Sequence, residues 1–300
     1  ILIPDDAVER LFNSAEKIGK ACDSAGISQW EVYATQGYGH SLEIEAGKIS
    51  MASGGGDGGF GIRIVDEGRY GYAHLVDPSS AANAIEQALS IAKMSPSIEG
   101  FELPENQSSQ KVGGMLDKSL LDLGPEELLS QGDIVIQRVK ELDSRAVAVG
   151  GGLGVGAGAD VILTSNGIED GGIHTSHGIG IHVSIDENED LTSSYEGESS
   201  RFMLKDLTAS VDKAVHWSQI TRDKIKGGDT EDCPVMMTSD GFSPLFSVVV
   251  PSAISGERLA RGESFWSQKM GESVMAGHLS LIDDGLMEGG MSSGSRDAEG

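Results

Sequence analysis

Apolar residues recur every three or four positions in four stretches of the chain. Such spacing places them on one side of a helix, which can then pack against a core. The first stretch closes at Gly26, and the third begins at Gly124-Pro125 with Glu126 and Glu127 in its first turn. The four predicted helices cover residues 5–25, 78–93, 125–142 and 204–225.

Between these helices the apolar period changes to two, the spacing of a strand with one buried face. In the first half, one run turns at Ala46-Gly47-Lys48 and a second turns at Asp66-Glu67-Gly68, so we predict a four-strand antiparallel meander. The second half repeats the order, with strands predicted over residues 147–157, 160–166 and 173–197. The two halves therefore resemble two copies of one unit.

Six residues, Gly54-Gly55-Gly56-Asp57-Gly58-Gly59, separate two predicted strands of the first half. Glycine-rich loops that bind phosphate open a helix, and the common type ends in Lys-Ser or Lys-Thr. This run lies between strands and lacks that ending. We interpret it as a flexible hairpin loop and not as a phosphate site.

The predicted fold class is α+β: two helix–antiparallel meander–helix units followed by the start of a β-rich C-terminal domain. In that last region, strands are predicted at Cys233–Met237 and before Gly285, and an apolar helix at 244–255 that Pro251 kinks or shortens and Gly256 caps. The predicted domains are residues 1–100, a linker at 101–123, a second unit at 124–227 and an incomplete C-terminal domain at 228–300.

Composition narrows the classes of function. With 47 acidic and 22 basic residues the net charge is −25, which repels phosphate backbones and argues against nucleic-acid binding. Such charge suits solubility or a basic partner. Cys22 and Cys233 make no disulfide framework, no apolar run is long enough for a membrane span, and no leader pattern opens the sequence, so we expect a cytoplasmic protein.

Two groups of side chains are candidate metal ligands. His174, His177 and His182 crowd one predicted hairpin, but the first two fall on opposite faces of a regular strand, so exposed or edge histidines are favoured over a metal site. The acidic pair Asp283-Asp284, with Asp297 and Glu299, could bind a hard cation or satisfy backbone amides in turns, and the second reading is favoured.

The C-terminal region resembles the TldD/PmbA family, metallopeptidases whose older description is modulator of DNA gyrase. The resemblance rests on Ser255-Gly256, on Arg261-Gly262-Glu263-Ser264 and on Gly271-Glu272. It also rests on the motifs Asp283-Asp284-Gly285 and Asp297-Ala298-Glu299-Gly300, and on upstream similarity around the Ala46-Gly47 turn and Gly61-Ile62-Arg63.

The resemblance implies a pair of related subunits, of which the TldD type carries zinc on an H-E-x-x-x-H helix. Here Ser247, Val248 and Ser252 occupy the positions of that motif, and none can replace the family residue as zinc ligand or base. The chain thus looks like the PmbA type, also called TldE. It is expected to bind no metal or cofactor itself, to pair with a zinc-bearing TldD-type subunit or with itself, and to act on peptides or unfolded segments. Arg258, Arg261 and Ser264 are the candidate peptide or partner contacts.

Two other functions are compatible with the sequence. An independent hydrolase could use Ser247, Ser252 or Ser255, but His278 is the only histidine nearby in sequence and no nucleophile motif surrounds these serines. A non-enzymatic binding or scaffolding homo-oligomer could present its sheet edges to a partner.

Overall fold

A computed structural model of the chain describes residues 2–187, 190–222 and 232–296. The chain forms two compact units, one from Ile1–Asp223 with Asp284–Gly300 and one from Lys224–Asp283. The predicted domain boundaries at residues 100, 123 and 227 stay predictions.

Four helices of the larger unit occur where the apolar spacing predicts them. Gly26 follows the first with φ of 77°, and a 3-10 turn at Pro78–Ser80 precedes the second. The fourth ends earlier than predicted, and residues 223–225 of that prediction lie outside the described residues. These helices are α1 (Ala7–Ser24), α2 (Ala81–Met94), α3 (Pro125–Leu142) and α4 (Thr208–Ile220).

Six antiparallel strands form one sheet in the order β3-β2-β1-β4-β5-β6. The order is symmetric about the pair β1–β4, so the two halves of the chain join edge to edge through their first strands. The strands are β1 (Gln29–Glu45), β2 (Lys48–Asp66), β3 (Arg69–Leu75), β4 (Ala146–Thr164), β5 (Glu169–Glu187) and β6 (Asp190–Ser200).

Helices cover one face of this sheet. α1 packs on β1 and β4, α2 on β2 and β3, α3 on β1, β2 and β4, and α4 on β5 and β6. Apolar side chains from alternate strand positions, such as Val32, Leu42 and Ile181, fill the space beneath the helices. The predicted α+β class is confirmed.

The predicted loop at residues 54–59 is wrong, because these residues lie inside β2 and each half has three strands instead of four. The glycines of this run do not form a turn. They allow β2 to lie close to the backbone of β1. A Cβ at Gly56 would lie 2.8 Å from the carbonyl oxygen of Gly37, and one at Gly58 would lie 2.7 Å from that of Thr35. The turns predicted at Ala46-Gly47 and Glu67-Gly68 are confirmed by positive φ at all four residues.

Two segments of the larger unit run beside the sheet without being strands of it. The backbone N–H of Leu103 donates to Gln29, and that of Thr175 in β5 donates to the carbonyl of Met115 at 3.0 Å. The later segment, residues 284–296, joins the first through a hydrogen bond from Gly289 N–H to the carbonyl of Gly113.

The smaller unit contains α5 (Ser239–Ile254) and α6 (Gly256–Ala260). The strands predicted at Cys233–Met237 and before Gly285 are wrong, because the described residues 232–296 contain no strand. A strand in this region would have no neighbouring strand of the region to pair with. The helix begins five residues before the predicted start and continues through Pro251 to Ile254, so the expectation that Pro251 ends it early is wrong. The cap is Ser255 rather than Gly256, and its N–H donates to the carbonyl of Pro251 at 3.1 Å.

Candidate functional site

The sheet face away from the helices has an unusual lining of glycine. Between Gly152 and Gly158 of β4, every second residue is glycine, so that Leu153, Val155 and Ala157 lie in the core on one face and the other face carries no side chain over this stretch. The glycines on the open face of β4 are Gly150, Gly152, Gly154, Gly156 and Gly158. Backbone atoms are thus accessible where most sheets present side chains.

A groove of about 580 Å³ lies on this face, across the junction of the two halves. Four residues that lie side by side on neighbouring strands cross the groove. They are Asp57 of β2, Gly37 of β1, Gly158 of β4 and His174 of β5. The Asp57 carboxylate lies over Gly37, 3.4 Å from where a Cβ would be, and the His174 ring covers Gly158 so closely that a Cβ would meet Nε2 at 2.6 Å. Glycine at both central positions leaves room for these two side chains over the floor of the groove.

Acidic and neutral polar groups surround that floor. Asp160 lies 3.4 Å from Nδ1 of His174, and both side chains are about one third exposed, at 37% and 35%. Burial, together with the negative charge of Asp160, raises the pKa of Tyr33 on the neighbouring strand. With Asp57 opposite, the groove favours cationic and hydrogen-bonding groups over anionic ones.

The three positions of the family zinc motif lie on α5 in the smaller unit. The Ser247 hydroxyl donates to the carbonyl of Pro244 at 3.0 Å, Val248 is 71% exposed, and Ser252 is half-buried. Because valine has no ligand atom and serine is a poor zinc ligand, this helix does not fit a zinc ion. The assignment of these residues as a non-catalytic site stays a prediction.

The predicted contact residues differ in how accessible they are. Arg258 and Arg261 are exposed, whereas Ser264 is buried. The Ser264 hydroxyl donates to the carbonyl of Ala253 at 2.6 Å and accepts from the N–H of Trp266 at 3.1 Å. Ser264 therefore closes the turn after α6, and the two arginines are better placed to reach a partner.

The three histidines of β5 do not converge. His174 lines the groove and His182 is half-buried, while His177 on the opposite face is buried among the helices. The expectation of an exposed or edge position is wrong for His177. Its Nδ1 accepts from the N–H of Leu204 at 3.1 Å, its Nε2 lies 3.1 Å from Oε1 of Gln131, and burial lowers its pKa.

No group of three His, Cys, Asp or Glu side chains within residues 2–187, 190–222 and 232–296 is arranged to hold a metal ion. Asp284 accepts from the N–H of Leu286 at 3.1 Å, as expected of a turn residue. Asp297 and Glu299 lie outside the described residues, so the proposal of a cation site that includes them is not tested. In the same described part of the chain, no helix is long and apolar enough to cross a bilayer.

Sequence reasoning missed the groove, although one signal pointed to it. The alternation of glycine with Leu153, Val155 and Ala157 is a strand pattern with an empty face. Asp57 fell in a predicted loop, and Asp160 and His174 lie on different strands that only the register brings together.

Comparison with known proteins identifies two domains of one family. Residues 30–92 match the domain described as PmbA/TldA metallopeptidase domain 1, and residues 230–300 match the PmbA/TldA metallopeptidase C-terminal domain.

One relative and two solved structures are similar to this chain over most of its length. An uncharacterized protein of Methanocaldococcus jannaschii is 24% identical over 98% of this chain, and the chain spans 65% of that protein's length. TldE from Thermococcus kodakarensis superposes with a TM-score of 0.74 at 22% identity, over 86% of this chain and 58% of that one. A candidate modulator of DNA gyrase from Bacteroides thetaiotaomicron gives 0.78 at 20% identity, over 100% and 68% of the two chains.

Proposed function

The chain belongs to the PmbA/TldD family, and from that membership we propose that it is the TldE-type subunit of a metallopeptidase complex acting on extended peptides. In this proposal a TldD-type partner holds the zinc and carries out hydrolysis. This chain contributes part of the walls that receive the peptide.

The observation that carries the proposal is the composition of α5. A chain with both family domains has Ser247, Val248 and Ser252 where the zinc motif would be, and these side chains offer neither two imidazoles nor a carboxylate. A subunit of a metallopeptidase with such a helix needs another chain for the chemistry. The resemblance of the fold to TldE of Thermococcus kodakarensis is consistent with this role.

The serine-hydrolase alternative finds no support around α5. Ser255 accepts from the N–H of Arg258, and Ser247 bonds to its own helix. No histidine of the described residues hydrogen-bonds to Ser247, Ser252 or Ser255, and a serine nucleophile requires such a base.

Co-expression with a TldD-type subunit tests the proposal. We expect the two chains to elute together from a sizing column, peptide cleavage to exceed that of the partner alone, and metal analysis to find stoichiometric zinc only in samples that contain the partner. The matched control replaces Ser247 by Ala in this chain, a change that leaves cleavage unaltered if α5 takes no part in the chemistry.

Stoichiometric zinc in this chain purified alone would contradict the proposal. So would failure of the two chains to associate. A stable homo-oligomer that ignores the partner would favour the scaffolding alternative instead.

A further inference from the structure

β2 has a long edge that the rest of the described chain leaves unpaired. Its residues 60–66 pair with β3, but residues 48–59 pair with β1 alone. No backbone hydrogen bond joins residues 48–59 to any other described segment. At ~3.3 Å per residue this edge is about 40 Å long, enough for a strand of roughly ten residues.

The equivalent edge in the other half of the molecule is covered. β6 pairs with β5 only from His177 onward, which leaves the preceding residues without a strand on that side. There Thr175 donates its N–H to the carbonyl of Met115, accepts on its hydroxyl from the N–H of Asp117, and is fully buried. Further along the same strand, Ser295 and Arg296 contact Asp170. One half of a symmetric sheet thus has this edge covered in part by the chain itself, and the other half does not.

The unpaired edge also lacks the features that protect edge strands. Proteins commonly block such edges with proline, with several charges or by keeping the strand short. Residues 48–59 contain no proline, and Lys48 and Asp57 are their only charged residues. Exposed backbone at this length is a template for another strand.

Cavities of different chemistry flank the edge on its two faces. On the open face the 580 Å³ groove begins at Gly55 and Asp57. On the helix face a cavity of about 300 Å³ lies beside Ala52 and Gly54, with apolar walls from Leu42, Leu128 and Leu129. Side chains of an added strand alternate between the two faces, so one set would meet carboxylates and the other an apolar pocket.

We infer that residues 48–59 of β2 bind an extended peptide as an added antiparallel or parallel strand, with alternate apolar and basic side chains. The apolar side chains enter the cavity beside Leu128, and the basic ones face Asp57 and the groove. This inference rests on the proposed function and names the class of peptide that the subunit receives.

Fluorescence anisotropy on the purified 300-residue chain tests the inference with a labelled ten-residue peptide that alternates leucine and lysine. We expect saturable binding. N-methylation of alternate backbone amides on the peptide, which removes hydrogen bonds but keeps every charge, should weaken it at least about tenfold. A leucine–glutamate peptide should bind more weakly still, because its carboxylates face Asp57.

Two variants of the protein carry the same change in net charge. Asp57→Asn should weaken binding of the leucine–lysine peptide about two- to fivefold, as expected for loss of an exposed ion pair. Asp66→Asn, at the end of β2 that β3 already covers, should leave it unchanged. Equal effects of the two variants would assign the binding to overall charge and overturn the inference.

Undiminished binding of the N-methylated peptide would also overturn the inference. So would a dimer, seen by sedimentation, that the peptide does not dissociate, because the edge of β2 would then pair with a second copy of the chain. The measurement uses this chain alone, so it separates the two proposals. Failure to pair with a TldD-type subunit leaves the peptide result standing, and absence of peptide binding leaves the pairing result standing.

Discussion

His177 holds two segments of the chain together through its two ring nitrogens. Because the N–H of Leu204 can only donate, Nδ1 must accept, and the ring proton lies on Nε2, where it donates to Gln131 of α3. Burial lowers the pKa of this imidazole, so the folded state keeps it neutral. A second proton would require the contact with Leu204 to break.

We therefore expect stability to fall as the pH drops below about 6.5, the ordinary pKa of histidine in the unfolded chain. The pKa of His177 is lower in the folded chain than in the unfolded chain. Between these two pKa values the unfolded chain binds more protons, so the neutral imidazole stabilises the fold fully only at pH values above about 6.5. Urea midpoints measured between pH 5 and pH 7.5 should show the slope. His177→Gln should be less stable at pH 7.5 and should flatten the slope.

The exposed His216 of α4 provides the control for this experiment. His216→Gln should retain both the stability and the pH dependence of the parent chain. If instead the parent and His177→Gln lose stability in parallel on acidification, the buried imidazole is not the responsible group.

Individual site residues were harder to predict than their elements. Asp57, Asp160 and His174 come together only through the register of four strands, and register depends on pairing over long stretches of sequence. The absence of zinc ligands at Ser247, Val248 and Ser252 was readable from the sequence because it concerns residue type and spacing alone.

At the scale of elements, periodicity predicted the helices well because each has one apolar face and a clear start or stop, such as Pro125 after Gly124. Glycine misled the prediction of strands. A run such as 54–59 is usual in loops, yet here its members let β2 lie close against β1. The strands predicted in the smaller unit failed because an extended apolar run needs a neighbouring strand, which local sequence does not reveal.

The contact between β3 and α2 depends on one glycine. A Cβ at Gly71 would lie 1.9 Å from the carbonyl oxygen of Ala88 and 2.7 Å from the backbone nitrogen of Ala92. Gly71→Ala should therefore push α2 from the sheet and lower the free energy of unfolding by at least about 2 kcal/mol in urea denaturation.

Gly55→Ala is the matched control for that prediction. It is also a strand glycine, but a Cβ there would meet nothing within 4 Å. We expect a change within about 0.5 kcal/mol. Similar losses for both variants would mean that the cost is a general property of glycine in these strands and not the approach of α2.

At the scale of the whole molecule, the net charge of −25 opposes compaction. Salt screens this repulsion, with a Debye length that shortens from about 10 Å at 0.1 M to about 3 Å at 1 M. Raising sodium chloride from 0.1 to 0.5 M should thus stabilise the folded chain by roughly 1 kcal/mol, a rise in Tm of about 2 °C for a chain of this size.

Thermal melts followed by circular dichroism would measure this shift. Tetramethylammonium chloride serves as a control, because a screening effect should not depend on which monovalent cation is used. A Tm that falls with added salt would show that local ion pairs, such as Arg138 with Asp212, outweigh the general repulsion.

The pairing of β1 with β4 sets the order in which the molecule can be made. Glu43 pairs with Gly152 and Glu31 with Thr164, so more than a hundred residues of sequence separate the partners. On a ribosome that adds ~5–20 residues per second, the first half can assemble its own helices and strands while the inner edge of β1 waits several seconds for β4. During that interval nascent chains expose the inner edge of β1 as well as the edge of β2. We expect ribosome-associated chaperones to bind these incomplete chains.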